Sequence, residues 1–235
     1  MRAACIAAYI GASGSGKTTA LQRDFLHPRP DRLAVWDFKR EYHHLTAIGS
    51  AAELLRVMAR PRFAFRVIPP MDVKQRRAWF ALFCEAAYRA GDCTVIVEEA
   101  AFVTSPQRAP DAWRLLTLTG RDYVLPSGRR CSLRLAFTTQ RPASIDKDAL
   151  GNCSQIWCGR LLAPRDVHTM ATVLGVPEAQ LLGLRDLQHI RRDVLGGSAS
   201  AADTLRLPPK AQNLQARRPA GNVAPRSNQP DRKPA

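Results

Sequence analysis

One eight-residue segment constrains this chain more than any other. Gly11-Ala12-Ser13-Gly14-Ser15-Gly16-Lys17-Thr18 fits the pattern GxxxxGK[ST] at every fixed position. It stands where such a loop has to stand, after the apolar run Ile6 to Ile10 and before Lys17 to Leu26, which reads as a helix. The glycines let main-chain N–H groups turn inward around an anion, and the positive end of the helix dipole points at the same spot. Gly11 to Thr19 is therefore the candidate nucleotide-binding loop, with Lys17 reaching the β- and γ-phosphates and the Thr18 hydroxyl serving Mg2+. A chance Gly/Ser loop would need every fixed position and both flanks to agree by accident.

The rest of the chain alternates strand-like and helix-like segments. Leu33 to Phe38, Phe63 to Ile68, Thr94 to Val97, Leu133 to Thr139 and Gln155 to Leu161 read as strands, the continuous apolar ones as strands covered on both faces. Helices are expected at Ala51 to Ala59, Val73 to Ala90, Asp111 to Thr119 and Arg165 to Leu174. In the second of these, Trp79, Phe80, Phe83 and Ala87 recur at helical spacing as a core stripe. Such alternation implies an α/β fold with a mostly parallel central sheet flanked by helices.

Two strand ends carry further chemistry. The apolar run Thr94-Val95-Ile96-Val97 ends in Glu98-Glu99, as the acidic pair of a Walker B strand does. The first carboxylate would hold Mg2+, through water, and the second would orient and activate the attacking water. The first position is usually Asp, so Glu98 is a departure. Gln140 closes the next apolar strand, where a neutral amide reaches both a γ-phosphate and that water. Two solvated glutamates and a solvated glutamine are the plainer alternative, and the four apolar residues ahead of Glu98 weigh against it.

Composition bounds the partners. A formal net charge of +15 on 235 residues attracts polyanions by counterion release, which makes nucleic acid the first partner to consider and an acidic protein surface the second. Every apolar run is shorter than the roughly 18 residues that span a bilayer, so no membrane insertion is expected. The six cysteines lack a CxxC pair and read as reduced, mostly buried thiols. Residues 1–197 are expected to form the nucleotide-binding domain. From Ser198 onward, Pro, Ala, Asn, Gln and Arg take over, and 198–235 reads as a disordered basic tail.

At this point a resemblance emerges. GASGSGKTT, TVIVEEAAF and GRRCSLRLAFTTQRP together are similar to the FtsK/HerA superfamily of DNA-pumping P-loop ATPases, through about residue 190, and most similar to the compact genome-packaging ATPases of tectivirus-type viruses. The resemblance implies a RecA/FtsK-like P-loop NTPase fold and ATP hydrolysis with Mg2+. It also implies a homo-oligomeric ring, hexamer or pentamer, on double-stranded DNA, with capsid or portal-vertex proteins as partners in the host cytoplasm or the virion. Members carry an arginine ahead of the glutamine strand that acts in the neighbouring subunit's site. Arg129 stands at the matching spacing from Gln140, with Arg121, Arg130 and Arg160 as competitors. Asp37-Phe38-Lys39 resembles the Asp-x-Lys segment after the second strand of these ATPases. A filamentous-phage morphogenesis or secretion ATPase, which normally carries a transmembrane helix, and a cellular HerA-like translocase are the alternatives. A small-molecule kinase would need a lid and a substrate pocket in place of Glu99 and Gln140, and the guanine-reading Asn-Lys-x-Asp motif does not occur.

Overall fold

Runs in which nearly every side chain is apolar need a sheet covered on both faces. The computed structural model, which describes residues 3–193 and 199–206, supplies one. In chain order the elements are β1 (Cys5–Ile10), α1 (Lys17–Leu26), β2 (Arg32–Trp36), β3 (Thr46–Ile48), α2 (Ala51–Met58), β4 (Phe63–Val67), α3 (Val73–Ala90) and β5 (Cys93–Val97). They continue with α4 (Asp111–Thr119), β6 (Tyr123–Val124), β7 (Arg130–Cys131), β8 (Leu133–Thr139), α5 (Lys147–Gly151) and β9 (Gln155–Gly159). α6 (Pro164–Leu174), α7 (Glu178–Leu182), β10 (Gln188–Asp193) and β11 (Asp203–Thr204) complete the chain as described.

Nine strands form one sheet in the order β11-β10-β9-β1-β8-β5-β2-β4-β3. From β9 to β3 every pairing is parallel, and β10 and β11 are antiparallel additions at one side. The parallel register decides where function can sit. Ile10 pairs with Thr139, Val97 with Phe137 and Trp36 with Val97, so the residues that follow these strands all emerge at one edge. Gly11, Asp37, Glu98 and Gln140 are those residues.

The core is aromatic on the side covered by α3 and α4. Trp36 meets Phe80 edge-on at 5.1 Å and Phe83 at 5.6 Å, and Trp113 bridges Phe80 and Phe137. Phe80, Phe83 and Ala87 of the stripe are fully buried, while Trp79 is only half-buried. Side chains fix where the helices start. Ser50 accepts the Glu53 amide ahead of α2, and Asp72 accepts the Gln75 amide ahead of α3, each satisfying a donor that the helix leaves unpaired.

Three expectations are corrected. β2 ends at Trp36 instead of running to Phe38, because buried Asp37 turns the chain, accepting the Glu41 and Tyr42 amides and pairing with Arg66 at 2.9 Å. β9 likewise stops at Gly159 and not at Leu161. The compact unit does not end at residue 197. Ala199 bridges to Arg192, Ser200 donates to the Arg191 carbonyl, β11 pairs with β10, and Leu205 is buried with its amide bonded to Leu187. These contacts are mostly main-chain, so a polar composition does not oppose them. The remainder of the expected tail, 207–235, lies outside the described residues. All six cysteines are free, and no described helix is long and apolar enough to cross a membrane.

Candidate active site

The loop between β1 and α1 is held from both sides. Gly11 donates to the Thr139 carbonyl at 3.2 Å and Ala12 to the Arg160 carbonyl at 2.7 Å, tying the loop to the ends of β8 and β9. Gly14 and Gly16 take φ of 79° and 93°, a region that favours glycine. Lys17 is buried at the start of α1, and its Nζ donates to the Ala12 carbonyl at 2.9 Å. Burial, and next the nearby Lys39 charge, bring its pKa down to about 8. Ser15 is fully buried and its hydroxyl has no partner among the described residues. A cationic group disfavoured by its surroundings beside an orphaned hydroxyl, at the N-terminus of a helix, suits an incoming anion.

At the end of β5, Glu99 has φ 50° and ψ 58°, a left-handed conformation costly for a residue with a side chain, by about 1–3 kcal/mol. The turn is secured by its amide bond to Thr138 Oγ1 at 3.0 Å and by the 3-10 helix Ala100–Phe102 that follows. It aims the carboxylate at its neighbours across the strand ends. Gln140 Nε2 donates to Glu99 Oε1 at 2.9 Å, and Lys39 Nζ pairs with the same oxygen at 2.7 Å. Burial pushes the Glu99 carboxyl upward, but Gln140 and Lys39 more than offset it and hold it below the usual carboxylate range.

Glu98 behaves in the opposite way. Burial, with Glu41 and Asp37 nearby, raises its carboxyl well above the usual range, although Oε2 accepts the Lys39 amide at 3.1 Å. A buried carboxylate short of positive charge is a fitting ligand for a divalent cation. Among the described residues there is no group of three or more His, Cys, Asp or Glu side chains that could hold a metal. Mg2+ would then take Thr18 and Glu98 from the protein and its other ligands from phosphate and water, the usual arrangement for this ion.

No family model matches the sequence, and no curated protein matches it. Solved structures do. The genome packaging NTPase of Sulfolobus turreted icosahedral virus 2, in complex with AMPPCP, superposes with a TM-score of 0.67 at 15% identity, covering 86% of this chain and 98% of that one. The DNA-packaging ATPase of Sulfolobus turreted icosahedral virus gives a TM-score of 0.67 at 14% identity, covering 88% of this chain and 100% of the other. The fold is that of a P-loop NTPase.

Within this P-loop NTPase fold, Gln140 directly follows β8, which lies between the strand that leads into the phosphate loop and the strand that delivers Glu99. The sequence-predicted set Gly11 to Thr19, Glu98, Glu99 and Gln140 thus shares one sheet edge. Of the arginine candidates, only Arg160 does. Arg129 precedes β8 and donates to the Ala90 carbonyl at 2.6 Å, at the opposite edge. Arg130 is paired there with Asp122, and Arg121 lies in the adjoining turn, whose Gly120 carbonyl accepts the Leu133 amide. Arg160 flanks the phosphate loop through its carbonyl, while its side chain pairs with Asp186 at 2.9 Å. A cleft of about 450 Å3 lined by Arg29, Arg32, Arg62 and Arg134 also opens at the far edge.

Lys39 is the residue that sequence reasoning undervalued. Its signal was the Asp-x-Lys spacing after β2. Buried Asp37 folds that loop back so that Lys39 touches both glutamates, one through its amide and the other through its ammonium.

Proposed function

We propose that the chain is an ATPase that drives double-stranded DNA, of the genome-packaging kind, working as a homo-oligomeric ring with ATP hydrolysed between subunits. The convergence of Lys17, Glu99 and Gln140 on one sheet edge carries this reading. Lys17 and the loop amides grip the β- and γ-phosphates. Glu99, ionised at neutral pH, accepts a proton from water, and Gln140 holds that carboxylate while its amide faces the reacting phosphoryl group. Mg2+, when bound by Thr18 and Glu98, supplies neutralisation of phosphate charge.

Support for the DNA partner comes from the +15 charge and from the likeness of fold to two proteins described as packaging enzymes. A ring gives purpose to Arg129, which stands at the opposite sheet edge from its own Lys17 and so could act only in a neighbouring subunit's site. Packaging at a capsid or portal vertex, in the host cytoplasm and virion, completes the reading.

Turnover assays test it. Lys17→Ala is expected to abolish nucleotide binding or hydrolysis, and Glu99→Gln to bind ATP yet lose turnover by at least about 100-fold. Long duplex DNA is expected to stimulate the native protein, with affinity falling steeply as salt rises. Normal turnover by Glu99→Gln, or indifference to DNA at low salt, sinks the motor reading.

A further inference from the structure

The proposal above gives Glu99 the task of engaging water, yet one of its oxygens is held by an ammonium. Lys39 Nζ lies 2.7 Å from Glu99 Oε1, and Gln140 shares that oxygen. Three ties keep Lys39 in place. Its amide donates to Glu98 Oε2, and buried Asp37 fixes the turn behind it by accepting two main-chain amides. Next to it, Phe38 stacks on Phe102 at 4.2 Å and 9°, joining the loop after β2 to the 3-10 helix that follows Glu99. Two lysines therefore face this edge. Lys17 spends its ammonium on a neutral carbonyl, whereas Lys39 is bound to the very carboxylate that a reacting water requires.

A γ-phosphate entering beside Lys17 brings negative charge within reach of the Lys39 ammonium. It thereby competes with Glu99 for a single cation. Nucleotide without that phosphate offers no such competitor. We propose that Lys39 is a γ-phosphate ligand that exchanges partners, pairing with Glu99 in the empty site and with the terminal phosphate when a triphosphate binds. The exchange frees the Glu99 carboxylate only when there is a phosphoryl group to transfer. The site thus tells triphosphate from diphosphate before chemistry begins. This assignment rests on the nucleotide-site reading above.

The test is a double-mutant cycle read as binding of ATPγS and of ADP, both with Mg2+, by calorimetry on the full chain. Lys39→Ala is expected to weaken ATPγS by about tenfold while leaving ADP within about twofold, since one charge-assisted contact to the γ-phosphate is lost. Glu99→Gln removes the competitor and is expected to tighten ATPγS, a gain that disappears when Lys39→Ala is added. Lys39→Arg, which keeps the charge, should retain most of the native preference. Equal weakening of ATPγS and ADP by Lys39→Ala would make Lys39 a mere prop for its loop and overturn the proposal. Independent, multiplying effects of the two substitutions would overturn it as well. Lys17→Ala serves as the control on the site itself. Undiminished ATPγS binding there would refute the nucleotide-site reading, whereas loss of binding with an additive Lys39/Glu99 cycle would refute the exchange alone.

Discussion

Replacing Arg129 with alanine separates two roles that its position allows. Its guanidinium donates to the carbonyls of Ala90 at 2.6 Å and Arg89 at 3.3 Å, at the C-terminal end of α3, and the side chain is exposed. Losing such contacts lowers stability by about 0.5–1.5 kcal/mol, or a Tm shift of at most about 6 °C in a domain of this size. The catalytic role is of another magnitude. The seven residues of β8 separate Arg129 from Gln140. At about 3.3 Å per residue that is more than 20 Å, beyond the reach of any side chain. Arg129 can therefore stabilise a transferring phosphoryl group only in a neighbouring subunit, where such a residue is worth about 10³ to 10⁵ in rate. The assay is steady-state ATP turnover with duplex DNA, on Arg129→Ala alone and mixed in equal amounts with Lys17→Ala after subunit exchange. Each variant alone is expected to be inactive. In mixed rings about a quarter of the interfaces combine an intact Lys17 with an intact Arg129, so activity should return to a matching fraction of the native rate. Arg129→Ala turning over within about twofold of native, or mixed rings staying silent although they form, would refute the reasoning.

Two further outcomes follow from the packing. Asp37 is fully buried and pairs with Arg66 at 2.9 Å, so Asp37→Ala strands a cation and frees two main-chain amides. It is expected to lower stability by about 3–5 kcal/mol in denaturant titrations and to detach Lys39 from Glu99; a loss under about 1 kcal/mol would mean the turn holds without it. His189 is buried against Trp157, rings 4.9 Å apart, and burial lowers its pKa below the ordinary value of 6.5. The unfolded chain then binds more protons than the folded one, so this group's contribution is intact above pH 6.5 and declines as pH falls toward the folded pKa. Thermal melts of His189→Phe should show a shallower decline over that window than the native protein, and identical slopes would exclude His189 as the source.

Much of the site could be read from sequence because parallel strands share a polarity. The residues directly after the apolar runs, Gly11, Glu98 and Gln140, land together once the strands align, whatever the loops between them do. Lys39 could not be placed in that way. Its position depends on Asp37 reversing the chain, and a single buried carboxylate has no periodicity to betray it. For the same reason the expected strand through Phe38 overran. β10 and β11 were hidden differently. They join the sheet antiparallel through main-chain pairing, with polar side chains such as Gln188, Arg191 and Asp203, and neither alternation nor an apolar run marks them.

The last buried residue of the compact unit has a consequence for its first loop. Leu205 lies so close to Gly16 that a methyl group there would sit 2.7 Å from Leu205 Cδ2 and 3.2 Å from Leu187 Cδ2. The turn that leads into α1 and the stretch after β11 are thus two sides of one seam. Any side chain at position 16 would have to displace Leu205, so the entrance to α1 and the closing residue of the compact unit can vary only together.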